Sequence, residues 1–267
     1  MTGPLLPRPP LSRRTFIVDL GRGAFALALV GLAGCASVVG SPVPGSAGAP
    51  PGSAGDGPGG PGGQSFGKAD GALTWERVNL GFVSADVLVR AGEATVVDTG
   101  QANHADDIEA ALKRMSLGWG AVAHLVLTHS HNDHAGSAAD VLRRATGATG
   151  YAGAADIPGI SGMPRPLVAV GEGDRVMGLR VVTAPGHTPG QVVAYDAIAR
   201  LLVAGDSMGT SAGKPILPNA HFTPDMAEAK RSIAKLGALG FETLLVGHRE
   251  PITAGASGLV AELGRAG

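Results

Sequence analysis

The chain has 267 residues with 22 acidic against 21 basic side chains, a net charge of −1, which leaves no electrostatic footprint for nucleic acid. It holds a single cysteine, Cys35. Everything beyond that residue therefore lacks both a disulfide and a thiolate metal ligand, and any metal site there must be built from histidine and carboxylate.

In chain order, the first feature is SRRTFIV (Ser12 to Val18), where Arg13 and Arg14 precede the apolar stretch AFALALVGLA from Ala24 to Ala33. That stretch is too short to span a bilayer as a stable helix but suits a signal-peptide core. The paired arginines resemble a twin-arginine (Tat) export signal. LAGC (Leu32 to Cys35) resembles the lipobox of bacterial lipoproteins, which implies cleavage before Cys35 and a lipid on its thiol. Residues 1–35 are thus expected to be a signal peptide, with the mature protein exported and lipid-anchored to the outer face of the cell membrane or on the periplasmic side. Between Gly40 and Gly63, 16 of 24 residues are Gly or Pro. Such a stretch has too little to bury to offset the entropy of ordering itself, so residues 36–71 are expected to form a disordered tether.

Residues 72–267 suffice for one well-buried domain. Strands are expected at Leu73 to Leu80, Phe82 to Arg90 and Glu93 to Gly100. A helix follows from about Asn103 to Met115, with Ile108, Leu112 and Met115 on one face. The run HLVLT reads as a buried strand and Ala135 to Arg144 as a second helix. Further strands are expected at Leu167 to Val170, Leu179 to Ala184, Val192 to Asp196 and Leu201 to Ala204. A helix capped by Thr223 with Pro224 at its first position comes next, then a strand in FETLLVGH and a closing helix. Meanders alternating with helices imply an α/β fold of two packed sheets with helices outside.

Four strings end strands or follow them directly: THSHNDHAG (Thr128 to Gly136), APGHTPG (Ala184 to Gly190), AGDS (Ala204 to Ser207) and VGHREP (Val246 to Pro251). They offer His129, His131, Asp133, His134, His187, Asp206 and His248 as candidate metal ligands. Side chains at i and i+2 of an extended segment share a face, so His129 and His131 can reach one ion. Gly186, Gly205 and Gly247 each precede a candidate ligand and allow close backbone approach. Imidazole and carboxylate suit zinc, and iron or manganese also accept them. His124 reads as a hydrogen-bonded core residue and His104 as a solvated helix-start residue. His221 reads as a loop residue before it reads as a substrate contact, and Trp119 and Tyr195 as packing residues.

The set HxHxDH, PGHTPG, GD and GH, with DTG at Asp98 to Gly100, resembles the metallo-β-lactamase-fold metallohydrolases over about residues 73–253. That resemblance implies an αββα four-layer sandwich of two mixed sheets packed face to face. It also implies two Zn2+ ions, one on His129, His131 and His187, the other on Asp133, His134 and His248, with Asp206 bridging them and Asp133 orienting the nucleophile. A divalent cation lowers the pKa of bound water from 15.7 to about 7 and makes hydroxide available at neutral pH. The expected reaction is hydroxide attack on an ester-like, lactone, thioester or β-lactam carbonyl of a small molecule. Asp206 and His134 depart from the β-lactamase subclass that has Cys and Ser at these places. Two other readings are a mononuclear iron oxygenase of the persulfide-dioxygenase type and a lipoprotein that binds metal or ligand without turnover. The loops at Tyr151 to Pro166 and Gly209 to Pro224 are where substrate contacts are expected.

Overall fold

The computed structural model describes residues 63–67 and 69–266. The export signal, the lipobox at Cys35 and most of the expected tether lie outside the described residues. The tether's last part is ordered structure instead: β1 (Ser65–Phe66) pairs in parallel with β8 (Arg175–Val176) at a sheet edge. Phe66 packs its ring on Tyr151 at 5.2 Å between centroids, an apolar anchor that the surrounding Gly-rich composition concealed.

Two mixed six-stranded sheets form the body. One is the meander β2 (Leu73–Asn79), β3 (Ser84–Arg90) and β4 (Glu93–Val97), extended in parallel by β5 (Val122–Leu127), β6 (Thr149–Gly153) and β7 (Val168–Val170). The other runs β1, β8, β9 (Leu179–Thr183), β10 (Val192–Asp196), β11 (Leu201–Val203) and β14 (Thr243–Leu245). Helices α1 (Ala105–Arg114), α2 (Asn132–Ala135) and α3 (Ala138–Arg144) belong to the first half, α4 (Met226–Leu236) and α5 (Ala256–Ala266) to the second. Among the described residues, no helix is long and apolar enough to cross a membrane.

The strand period of two explains the layering. In β4 and β5, Val96, Leu125 and Leu127 face Ile108, Leu112, Val141 and Leu142 of α1 and α3. Their neighbours Val97 and Val126 face the opposite way, into a cluster with Val181, Val192 and Val203 of the other sheet. On that sheet's far side, Val182, Val193 and Leu202 pack under Ile233, Leu236 and Val260 of α4 and α5. Three apolar interfaces in succession make a helix–sheet–sheet–helix sandwich, with strands buried on both faces. One ion pair, Arg90 with Asp196, is buried at 2% and 3% side-chain exposure and joins the two sheets. Trp119 packs against the first cluster, and Tyr195 sits in the third with its hydroxyl donating to the Gly240 carbonyl (3.0 Å).

Several element boundaries differ from the sequence reading. The fourth helix starts at Met226, because Asp225, not Thr223, caps it by accepting from the Glu228 amide (2.8 Å). The expected Ala135 to Arg144 helix is α3, which starts at Ala138, and a separate short helix, α2, precedes it at Asn132–Ala135. Tyr151 lies in β6 and not in a loop, pairing with Val126 and Val168. The Gly209 to Pro224 segment contains a hairpin of β12 (Gly209–Ser211) and β13 (Lys214–Ile216), turning at Ala212 and Gly213, whose φ of 50° and 74° suit a tight primed turn.

Candidate metal centre

Every candidate ligand sits just past the C-terminal end of a strand: His129, His131, Asp133 and His134 after β5, His187 after β9, Asp206 after β11 and His248 after β14. The two sheets thereby aim their loops at one rim. Ligand atoms of His129, His131 and His187 lie within 4.8 Å of one another, as do those of Asp133, His134 and His248. Asp206 stands between the sets, with one oxygen 3.4 Å from His134 Nε2 and the other 3.6 Å from His187 Nε2 and 3.2 Å from His248 Nε2. All seven residues named from the sequence are brought together.

Most of the imidazoles are fixed from behind. Asp98, carried into the left-handed region at φ 58°, accepts from His134 Nδ1 (2.8 Å), from the Thr128 amide (2.8 Å) and from the Thr128 hydroxyl (2.7 Å). That hydroxyl, its proton committed to Asp98, accepts from His129 Nδ1 (3.0 Å). Likewise the Thr223 hydroxyl donates to the Asn219 carbonyl (2.8 Å) and accepts from His187 Nδ1 (3.1 Å). His248 Nδ1 donates to the Phe82 carbonyl (2.7 Å), and the Phe82 ring stacks on the imidazole at 9°. With Nδ1 committed in all four, each Nε2 is turned to the interior, free as a lone pair in a neutral ring and after loss of its proton in a charged one.

These nitrogens provide the test of fit for cations. His129 Nε2 and His134 Nε2 are buried and have no hydrogen-bond partner among the described residues. His187 Nε2 lies 2.9 Å from His131 Nδ1, so the two nitrogens converge on one point that a shared proton or a cation can occupy. Orphaned buried polar atoms cost about 1–3 kcal/mol each, and divalent ions on nitrogen and carboxylate oxygen remove that cost. Asp98 is near the ligand atoms as well, but its oxygens are already taken by three donors, which makes it a support for the histidines.

Electrostatics separate the two sets. Burial drives His129 well below its ordinary pKa and His187 down to about 4, so both are neutral ligands at pH 7. Burial also pushes His134 down, but Asp98 and Asp206 outweigh it and lift it to about 10. Hydrogen bonding to Asp133 and Asp206 raises His248 to about 10. The same bond holds the Asp133 carboxyl below the usual carboxylate range.

Sequence reading missed three supports. Asp156, 2% exposed, accepts from the Ser130 amide (2.9 Å), the Thr188 hydroxyl (2.6 Å) and the Gly190 amide (2.7 Å), tying the His129–His131 loop to the His187 loop. Arg77 Nη2 donates to the carbonyls of Val246 (2.6 Å) and Arg249 (2.8 Å), which bracket His248. Thr223 was visible only as a capping residue. Of the glycines before ligands, Gly247 leaves no room for a side chain: a Cβ there would lie 2.3 Å from Asp206 Oδ1. Gly205 is at φ 51° and a Cβ would lie 2.4 Å from the Thr128 hydroxyl.

The other histidines behave as ordinary residues. His124 is 5% exposed and bonded to Glu93 (2.9 Å), and His104 pairs with Asp107 (2.8 Å) at the start of α1. His221 is exposed on a short turn, where its neighbour Phe222 is the one that lines the central cavity.

Comparison with known proteins agrees with this architecture. The chain is 39% identical over 83 residues to the probable metallo-hydrolase YflN of Bacillus subtilis (strain 168), covering 27% of this chain and 31% of the relative. It is 36% identical over 138 residues to a hydroxyacylglutathione hydrolase of Rhodospirillum rubrum, covering half of each chain. The match thus spans half or less of these two curated relatives. A crystal structure of a metallo-beta-lactamase family protein from Thermus thermophilus superposes with a TM-score of 0.58 at 22% identity, over 73% of this chain and 77% of that one. The family model of the metallo-beta-lactamase superfamily matches residues 78–248, from β2 to the last ligand histidine, and the chain belongs to that superfamily.

Proposed function

We propose that the protein is a metal-dependent hydrolase, with two zinc ions held by the seven converging residues, acting on an ester-like, lactone, thioester or β-lactam carbonyl. The observation that carries this reading is the pair of complete donor sets around Asp206, with buried nitrogens lacking any partner among the described residues. When bound, such ions supply a nucleophile from water at neutral pH and polarise the carbonyl under attack. The chain's own residues do the rest. Asp98, Thr128, Thr223 and the Phe82 carbonyl hold four imidazoles in one tautomer and orientation. Asp133, ionised at neutral pH and 26% exposed, borders the cavity, where it can orient water and accept its proton. The thioester option gains weight from the name of the Rhodospirillum relative.

A mononuclear iron oxygenase would leave Asp133, His134 and His248 without a task, and a non-catalytic binder would not need an ionised Asp133 at the border of the cavity. The experiment is metal content per chain followed by assay on a β-lactam, a lactone, a thioester and a phosphodiester. Two metals with turnover of one carbonyl substrate is expected. Fewer than one metal and no turnover refutes the reading. We also propose that Cys35 carries a lipid and tethers the enzyme outside the cell membrane, testable by metabolic labelling with a fatty acid and its loss in Cys35→Ala.

A further inference from the structure

Apart from Ile198, the large exposed apolar side chains among the described residues gather around the metal centre. Phe82, Ile216 and Phe222 are 58%, 38% and 57% exposed, and all three line the cavity of about 1030 Å³ that opens onto His131, Asp133, His187 and His248. Met208 and Leu217 complete its apolar wall. Ile216 and Leu217 come from the end of the β13 hairpin strand and Phe222 from the following turn, the segment whose Thr223 holds His187. The apolar side chains thus flank both ends of the centre: Phe222 adjoins the Thr223 that holds His187, Phe82 stacks on His248, and the hairpin reaches the Glu250 carbonyl through the Thr210 hydroxyl (2.6 Å).

The same cavity also carries charge. Arg249, next to His248, is the only Lys or Arg lining the cavity among the described residues. It is exposed and its side chain makes no ion pair or hydrogen bond among the described residues. Its backbone sits at φ 71°, unfavourable for a residue with a side chain. Arg77 holds that conformation through the Arg249 carbonyl. An unpaired cation and an apolar wall lining one cavity beside the centre define what that cavity should hold.

We propose that the substrate, within the hydrolase reading above, is an amphiphilic acyl compound. It has an apolar acyl chain of several carbons against Ile216, Leu217 and Phe222, and an anionic group on its leaving part, received by Arg249. In the reaction, a water oxygen bonds to the carbonyl carbon, the carbon–sulfur or carbon–oxygen bond breaks with its electrons on the leaving atom, and a proton from water ends there. The products are a fatty-type acid and a carboxylate-bearing thiol or alcohol.

Four probes test this with the zinc-loaded full chain: S-acetyl and S-hexanoyl thioglycolate, and S-acetyl and S-hexanoyl 2-mercaptoethanol, followed by thiol release. Hexanoyl should exceed acetyl by about 10-fold in kcat/KM, four methylenes being partly buried. The anionic leaving group should exceed the neutral one by about 5-fold, the scale of an exposed ion pair, and this ratio should shrink as salt rises. Arg249→Ala should bring the anionic-to-neutral ratio to about one, Arg249→Lys should retain part of it and Arg249→Glu should invert it. Phe222→Ala should lower the hexanoyl-to-acetyl ratio. Turnover of all four probes at equal kcat/KM overturns this inference and leaves the hydrolase reading standing. No turnover of any probe by protein holding two metals also overturns this inference, and the hydrolase reading then stands or falls on the β-lactam and lactone assays given above.

Discussion

Asp156 touches no candidate ligand, yet it joins the two loops that carry three of them. Its substitution by Asn keeps shape and removes charge. In either orientation the new amide places an NH2 donor against a backbone N–H, that of Gly190 on one side or Ser130 on the other. One buried donor is left unpaired at about 1–3 kcal/mol, and the remaining bonds lose their charge assistance. A total near 3 kcal/mol lowers the melting temperature by about 6–12 °C in a domain of this size. The larger signature is local. Ser130 sits between His129 and His131, and Thr188 follows His187, so the three-histidine set loses its spacing while Asp133, His134 and His248 keep their own supports. Supports of bound ligands are typically worth 10–100-fold in metal affinity. Zinc titration against a competing chelator should show one of two binding steps weakened by that factor in Asp156→Asn. Arg77→Lys should weaken the other step, because lysine lacks the planar fork that spans the Val246 and Arg249 carbonyls. Wild-type affinity in both steps, or equal weakening of both by each variant, would refute the assignment of one clamp to each set.

Stripping metal with a chelator should abolish hydrolysis and lower the melting temperature, since His129 and His134 then bury unpartnered nitrogens; restoring zinc should recover both, read by calorimetry. Asp133→Ala, at a partly exposed position, should cost at least about 100-fold in kcat with little change in melting temperature, and full activity would contradict its role. Uptake of metal by the Asp133, His134 and His248 set should release protons at pH 7, because both imidazoles sit near 10 beforehand, whereas the three-histidine set should release fewer; pH-stat titration distinguishes them. Asp86, fully buried, is pushed up to about 7 by burial, which outweighs Arg77. A folded-state value above the unfolded one, about 3.9, gives stability that is present below that pH and is lost as pH rises through 7, at most about 4 kcal/mol. Urea unfolding of Asp86→Asn should therefore show a flatter profile between pH 4 and 8 than the parent chain, and parallel profiles would refute it.

What could be read from the chain and what could not divide along one physical line. His129, His131, Asp133 and His134 fall within six positions because two cations need donors of fixed type at short spacing, and few other residues can supply them. That demand writes a pattern into the sequence. Asp156 and Arg77 answer a different demand: to accept or donate two or three hydrogen bonds to main-chain groups far away in sequence. Main-chain amides and carbonyls are the same at every residue, so nothing at Ser130, Gly190 or Val246 announces a partner. The surroundings of Asp156, in TGYAGAADIPG, read as a loop, and the alternation around Arg77 allows any polar residue on an outward face. The fold shows the same split. Strands buried on both faces, such as β5 and β10, were plain from their apolar runs, while β6 hid in Gly and Ala, and β1 hid beside a glycine-rich stretch with only Phe66 to mark it. Arg249 lies between these cases. It follows a candidate ligand in VGHREP, but its meaning depends on Arg77 holding the backbone and on Ile216 and Phe222 arriving from a hairpin and the turn after it, which the composition of Gly209 to Pro224 does not reveal.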